Sequence, residues 1–260
     1  MSRLIDKLNR VSQAVPQAMG FRAMQNVSPK PRILLIADLA EANVDGVADY
    51  VAGADAGLLH IPNLSEGAKT LKNICKVVPD ITWGGWLRDV GQGEVKQIIE
   101  AGCDFIVFPP ANTSLALLQD TKLGKILQVE TSLSEGLLRT VNELPVDAVL
   151  TNGGQDGEYF LTWHHLMLFQ RFADLLTKPL VVSVPSNVTA DELQALWETG
   201  VEGVMIKVGV EQTKEKLKEL HEIIDKLTFT SRRKGGKAEA LLPYIGEKRD
   251  VVAEEEEEEE

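Results

Sequence analysis

Eight short apolar runs recur along this chain, each followed by a longer segment with helical periodicity. They are 32–37, 56–60, 81–87, 104–108, 125–130, 147–151, 179–184 and 203–208. Runs this short and this apolar read as strands buried on both faces, the signature of a parallel sheet covered by helices. The expected helices are 42–53, 64–78, 91–101, 113–121, 133–143, 162–176, 189–199 and 211–227. Thr189 with Glu192 and Ser132 with Glu135 carry the capping-box pattern of a helix start. Ala52-Gly53, Ala101-Gly102 and Thr199-Gly200 are stop signals placed shortly before strands.

Eight βα units in succession close into a (β/α)8 barrel. An open doubly wound sheet is the competing arrangement. It would want fewer units, or a Gly-rich loop after the first strand. That strand ends instead in Ala37-Asp38-Leu39-Ala40, so the expectation is a barrel over 32–227. Ahead of it, 1–31 reads as an amphipathic helix (2–25) and a Pro-rich linker. The helix would close the N-terminal end of the barrel. After the barrel, 228–260 reads as an extension that packs in part through Leu241 to Ile245 and ends in a disordered acidic tip.

Charge separates these parts. The net charge is −12, and the last seven residues are all Glu. Residues 1–32 are basic, with six Lys or Arg against Asp6 alone. No large basic surface remains, so nucleic acid is not an expected partner. A surface role at a membrane through the basic helix is the minor alternative. No apolar run reaches the ~18 residues of a membrane span, and no signal-peptide core is present, so the expected location is cytoplasmic. Cys75 and Cys103 are the only cysteines. Two thiols make neither a disulfide framework nor a four-Cys zinc site. His164-His165 are adjacent, and neither HxH nor HExxH spacing occurs, so no metal site and no cofactor is expected.

Barrel chemistry sits at the C-terminal ends of the strands. The polar residues there are Asp38, His60, Arg88, Asp89, Gln128, Glu130, Asn152, Ser183 and Lys207. Gln128 and Glu130 are two apart and share a face, as do Met205 and Lys207. The other face of each strand is aliphatic and belongs under the helices, so these polar groups should point inward. Closure sets strand eight beside strand one, which brings Lys207 near Asp38, either as an ion pair or as a grip for a substrate anion. Trp83 and Trp86 could wall the pocket or fill the core. The glycine-rich loop from Thr151 to Glu158 could approach a ligand or stay a surface loop.

Two stretches resemble a known group of barrels. EVKQIIEAGCDFIVFP (Glu94 to Pro109) is similar to the segment from the third helix to the fourth strand of keto-deoxy-phosphogluconate aldolase. ADELQALWETGVEGVMIKVG (Ala190 to Gly209) is similar to the strand-seven to strand-eight end of the ribulose-phosphate-binding barrels. The resemblance implies a phosphate cradle after strands seven and eight, which here falls on Ser186 and Gly209. The chain departs from the pattern there: Pro185-Ser186-Asn187 and Val208-Gly209-Val210 stand where Gly-Gly and Gly-Ser turns would. It departs again on strand six, where Asp147 to Asn152 holds no Schiff-base lysine.

These readings point to a lyase or isomerase acting on a small anionic metabolite. In it, Lys207 holds the anion, Glu130 or Asp38 moves a proton and His60 assists. Arg88, Asn152, Ser183, Ser186 and Gly209 are the expected substrate contacts. The rival reading is a barrel without catalysis, a scaffold binding a partner, or a second copy, through 228–260.

Overall fold

We describe the protein from a computed structural model covering residues 2–12, 32–40, 46–87, 94–119, 122–153, 160–208 and 213–227. Eight parallel strands form a closed barrel in simple sequence order. They are β1 (Leu34–Asp38), β2 (Ala56–Ile61), β3 (Thr82–Leu87), β4 (Phe105–Phe108), β5 (Gly124–Val129), β6 (Ala148–Asn152), β7 (Leu180–Val184) and β8 (Gly203–Lys207). Closure is the β1–β8 pairing, in register from Leu34 opposite Gly203 to Asp38 opposite Lys207.

The helices are α1 (Arg3–Ser12), α2 (Val47–Tyr50), α3 (Leu64–Val77), α4 (Glu94–Glu100), α5 (Glu135–Thr140), α6 (Trp163–Leu175), α7 (Ala190–Glu198) and α8 (Thr213–Lys226). The segment expected as a helix over 113–121 is a short 3-10 helix, Leu115–Gln119, and a second 3-10 turn, Val141–Glu143, continues α5. The first helix is described to Ser12, and the rest of 2–25 lies outside the described residues, as does 228–260.

Stop signals act as expected. Gly53, Gly102 and Gly200 each adopt a positive φ of 92 to 100°, the left-handed region that a residue with a Cβ enters at a cost. The capping box at Thr189 and Glu192 is formed. The other start lies two residues later than the pattern suggested: Ser134, not Ser132, caps α5 by accepting from the Leu137 N–H. A box not read from the sequence joins Thr162 to His165 at the start of α6.

Alternation along each strand makes two cores. Outward residues such as Leu35, Ile106, Val149 and Ile206 pack under the helices. Inward residues such as Ile36, Leu58, Phe105, Ile126 and Met205 fill the barrel itself. Space inside is tight: a Cβ at Gly84 would fall 2.3 Å from the Phe105 ring.

Helix α1 closes the bottom of this inner core. Its Leu4, Ile5 and Leu8 are fully buried and belong to the interior cluster. Gly124 is what lets it approach, because a Cβ there would meet Ile5 and Ser2 at 2.7 Å. Asp104 anchors its first turn. Its carboxylate accepts from the Ser2 hydroxyl and from the Arg3 and Leu4 backbone N–H groups at 2.5, 2.8 and 3.2 Å. These are N–H groups that a helix start leaves without intrahelical partners, and the negative charge suits the helix dipole.

The same acidic position recurs on every even-numbered strand. Asp55, just before β2, accepts from the Leu35 N–H of β1 at 3.0 Å. Asp147, before β6, accepts from the Lys125 N–H of β5 at 2.8 Å. Glu202, before β8, accepts from the Leu180 N–H of β7 at 2.7 Å. Each satisfies a backbone donor at the lower rim, where the strand ladder has not yet begun.

Asp104→Ala should therefore cost about 1–3 kcal/mol, the penalty for leaving hydrogen-bonded groups unpaired. Leu8→Ala should cost about 2–5 kcal/mol as a buried cavity mutation. Urea unfolding measures both. A loss under ~0.5 kcal/mol in each would show that α1 does not contribute to the barrel.

Candidate active site at the barrel mouth

The last inward residue of each strand meets its neighbours at the C-terminal rim. On β2, β3, β5 and β7, the one half-exposed residue in a buried strand is the inward one near that end: His60, Trp86, Gln128 and Ser183. On β6 it is Asn152, and on β8 Lys207 is open to solvent. The interior thus changes from aliphatic to polar within one layer of side chains, and that layer is where water first reaches the barrel. Asp38 shares the inward set on β1 and is fully buried.

Asp38 is held from both sides. Its carbonyl accepts from the Val208 N–H at 2.7 Å, and the following Leu39 N–H donates to Leu58 O at 2.9 Å. Its side chain turns to β2, where Asp38 Oδ1 lies 2.8 Å from His60 Nε2. The Ala40 N–H donates to the same oxygen at 3.2 Å. The His60 contact is an ion-pair distance off the line of a hydrogen bond, and neither Asp38 Oδ2 nor His60 Nε2 has an aligned hydrogen-bond partner among the described residues. His60 is covered on one side by Trp86, ring centroids 4.2 Å apart at 53°.

A fully buried carboxylate with an open lone pair is costly unless something fills it. Across the mouth, Asn152 Oδ1 is a second buried acceptor without a partner among the described residues. Both acceptors lie on the inward face of their strands at the C-terminal rim. Lys207 stands beside Asp38 in the β1–β8 register, and Asn152 stands beside Ser183 across β6–β7.

The remaining candidates separate. Glu130 falls just past the end of β5, exposed on the rim, where it accepts from the Ser132 hydroxyl at 3.2 Å. Ser186 is exposed in the turn after β7. Arg88, Asp89 and Gly209 lie outside the described residues, as do 154–159 of the glycine-rich loop. The tryptophans divide: Trp86 is at the mouth, and Trp83 packs outside the barrel with its indole N–H on Val78 O at 2.9 Å. His165 is buried as a helix cap and its neighbour His164 is exposed.

What residue-by-residue reading missed is the Asp38–His60 pairing. Treated alone, His60 is weak evidence. Parity on adjacent strands, with Asp38 opposite Leu58 in the register, is the signal that joins them. No group of three or more His, Cys, Asp or Glu arranged to hold a metal occurs among the described residues. The thiols stand apart from the mouth. Burial pushes the Cys103 thiol far above its ordinary value, and burial also raises that of Cys75. A distinct cleft lies on the flank between α6 and α7, lined by Leu161, Trp163, Leu166, Glu192 and Ala195. It is apolar and brings no reactive groups together.

No family model matches the sequence, and no curated protein matches it. Solved structures do match its shape. The chain is similar to 3-keto-L-gulonate-6-phosphate decarboxylase from Vibrio cholerae, with a TM-score of 0.60 and 16% identity over 77% of this chain and 100% of that one. It is similar to orotidine 5'-phosphate decarboxylase from Pyrococcus horikoshii, with a TM-score of 0.57 and 12% identity over 75% of this chain and 100% of that one. A mutant tryptophan synthase alpha-subunit from Pyrococcus furiosus gives a TM-score of 0.57 and 10% identity over 75% and 97%. This chain has the same closed eight-stranded barrel as these proteins. At such identities the likeness is one of fold.

Two outcomes test the site's anatomy. Asp38→Asn should leave stability within about 1 kcal/mol or raise it, because the change removes a buried charge that is only partly satisfied. A loss above ~3 kcal/mol in urea unfolding would make Asp38 a structural residue. Iodoacetamide should leave Cys103 unmodified in the native protein near pH 8, since burial disfavours its thiolate. Unfolding should restore ordinary reactivity, and mass spectrometry after digestion reads both states.

Proposed function

We propose that this barrel is a lyase or isomerase acting by acid–base chemistry on a small, hydroxylated, anionic metabolite. The observation that carries the reading is the buried Asp38 carboxylate set 2.8 Å from His60 at the one end of the barrel that opens to water. Asp38 lies against the imidazole and balances its charge when it takes a proton. His60 then has its other ring nitrogen, Nδ1, for the substrate. Lys207, next to Asp38 in the register, supplies the positive charge that holds an anion or stabilises the enolate-like charge formed when the proton leaves. Asn152, with its open carbonyl oxygen, receives a substrate hydroxyl.

Two lines support an anionic substrate. Two structural neighbours carry phosphate-bearing substrates in their names, 3-keto-L-gulonate-6-phosphate and orotidine 5'-phosphate. The polar layer of this barrel also presents its lysine at the position where the strand ladder ends. Ser183, Ser186 and Gly209, on or after β7 and β8, are the substrate contacts on the anion side in this reading, and Arg88, following β3 across the ring, is a further contact. Glu130, exposed at the rim, serves as a second proton carrier only if a bound molecule reaches it.

The test is proton exchange. The protein is incubated in D2O with a panel of five- and six-carbon ketose phosphates and 2-oxo acids, and loss of a carbon-bound proton is followed by NMR. The expected result is exchange or turnover of at least one member. His60→Gln should lower its rate by about 10²–10⁴, the usual contribution of a positioned acid or base. Lys207→Ala should weaken binding of the same molecule. No exchange with any member, together with no calorimetric binding of inorganic phosphate, would favour the scaffold reading, in which 228–260 binds a partner.

A further inference from the structure

Asp38 gives His60 a charge to lie against but no directional hold. Its Oδ1 is 2.8 Å from Nε2, yet Nε2 has no aligned hydrogen-bond partner among the described residues. Coulomb attraction depends on distance and does little to set the tilt of a ring. The torsion that turns an imidazole about its Cβ is broad and roughly two-fold. Packing must therefore hold the ring. An acid–base group that swings loses the near-attack geometry its chemistry needs.

Trp86 supplies that packing. The β2–β3 register sets it directly beside His60, and each is the half-exposed inward residue of its strand. The ring centroids are 4.2 Å apart at 53°, close enough for the two rings to touch. The tryptophan is anchored from below. It packs against the interior cluster that contains Leu58 and Phe105. The inward residue two before it is Gly84, where a Cβ would fall 2.3 Å from the Phe105 ring. Phe105 thus fills the layer beneath β3, and the indole stands on packed side chains rather than over a gap. A bulky ring with only two χ angles, seated in this way, is a stiff support.

We propose that Trp86 is the positioning residue of the barrel mouth, its indole holding the His60 imidazole at a fixed tilt. Asp38 balances the charge of the imidazole, and Trp86 sets its direction. The inference rests on the reading of His60 as the acid–base group, and Trp86 acts through His60 rather than on the substrate.

Relaxation of the His60 ring carbons, measured by 13C NMR on the full chain, reads the hold with no substrate present, so it is decided apart from the proposed reaction. In the wild type the ring should be as ordered as a rigid backbone, with an order parameter near ~0.85, and in Trp86→Leu it should fall below ~0.6. Trp86→Phe keeps a ring on the packed layer and should lie between. Asp38→Asn should leave the imidazole ordered. A ring that is mobile in the wild type overturns the proposal, and so does one that stays as ordered in Trp86→Leu. If the leucine variant does not fold, an unchanged order parameter in Trp86→Phe overturns it. Loss of order in Asp38→Asn alone also overturns it, since the carboxylate would then be the hold.

A double-mutant cycle separates positioning from substrate contact. On a molecule turned over in the exchange assay, Trp86→Leu should lower kcat about 10–100-fold with KM little changed. In a His60→Gln background the same substitution should lower kcat no further, because the residue it acts through is gone. An equal loss in both backgrounds would set Trp86 against the substrate itself and overturn the proposal.

Discussion

A parallel barrel has a rim problem at each end, and this chain answers both with carboxylates. At the lower rim, backbone N–H groups emerge before the ladder begins and need acceptors. Asp55, Asp147 and Glu202 supply them from the residue that opens the next strand, and Asp104 supplies its own to the first turn of α1. Three of the four tie a strand pair, β1–β2, β5–β6 and β7–β8, and the fourth ties α1 to the start of β4. Everything above depends on that ring. It fixes strand register, and register decides which side chains face inward at the top.

At the upper rim the same residue type does the opposite. Asp38 is more deeply buried than the lower carboxylates and has one oxygen without a partner among the described residues. The lower carboxylates each receive backbone donors, which is how a stabilising carboxylate is spent. Asp38 receives one long backbone bond and the edge of an imidazole. A fold that could have filled this position with a Val or Leu carries a partly satisfied charge instead. Such a departure from good packing belongs at functional sites, where stability is given up for chemistry.

Much of the fold was legible in the sequence because the barrel's two periodicities are strong. Apolar runs marked all eight strands to within two residues, since strands covered on both faces admit few polar groups. The glycine stops at Gly53, Gly102 and Gly200 were visible in the sequence, but the role of the acidic residue two positions after each was not. Hydrogen bonds from Leu35 and Leu180 to the next strand's carboxylate are tertiary contacts without a local signal. Helix lengths were the weaker part. The 3-10 helix at Leu115–Gln119 has an apolar pattern that also suits an α-helix. Parity was read on β5 and β8 only, and in the structure Gln128, Lys207 and also Asn152 belong to the inward set of their strands. Glu130 missed the ladder by one residue and so reached the rim instead. Parity alone could not say that Asp38 would turn to His60 on β2, because the choice between neighbours depends on side-chain packing under Trp86.

In the function we propose, the mouth of the barrel binds a hydroxylated anion, with Asp38 and His60 at its reactive end. A crystal structure of the protein soaked with a ketose phosphate tests it most directly. The molecule is expected inside the rim, with its anionic group toward Lys207 and a hydroxyl on Asp38 Oδ2 or Asn152 Oδ1. His60 Nδ1 should lie within hydrogen-bond reach of the carbon-bound or hydroxyl proton to be moved. A saturated crystal in which the ligand binds elsewhere, with Asp38 and His60 touching only protein and water, would contradict it.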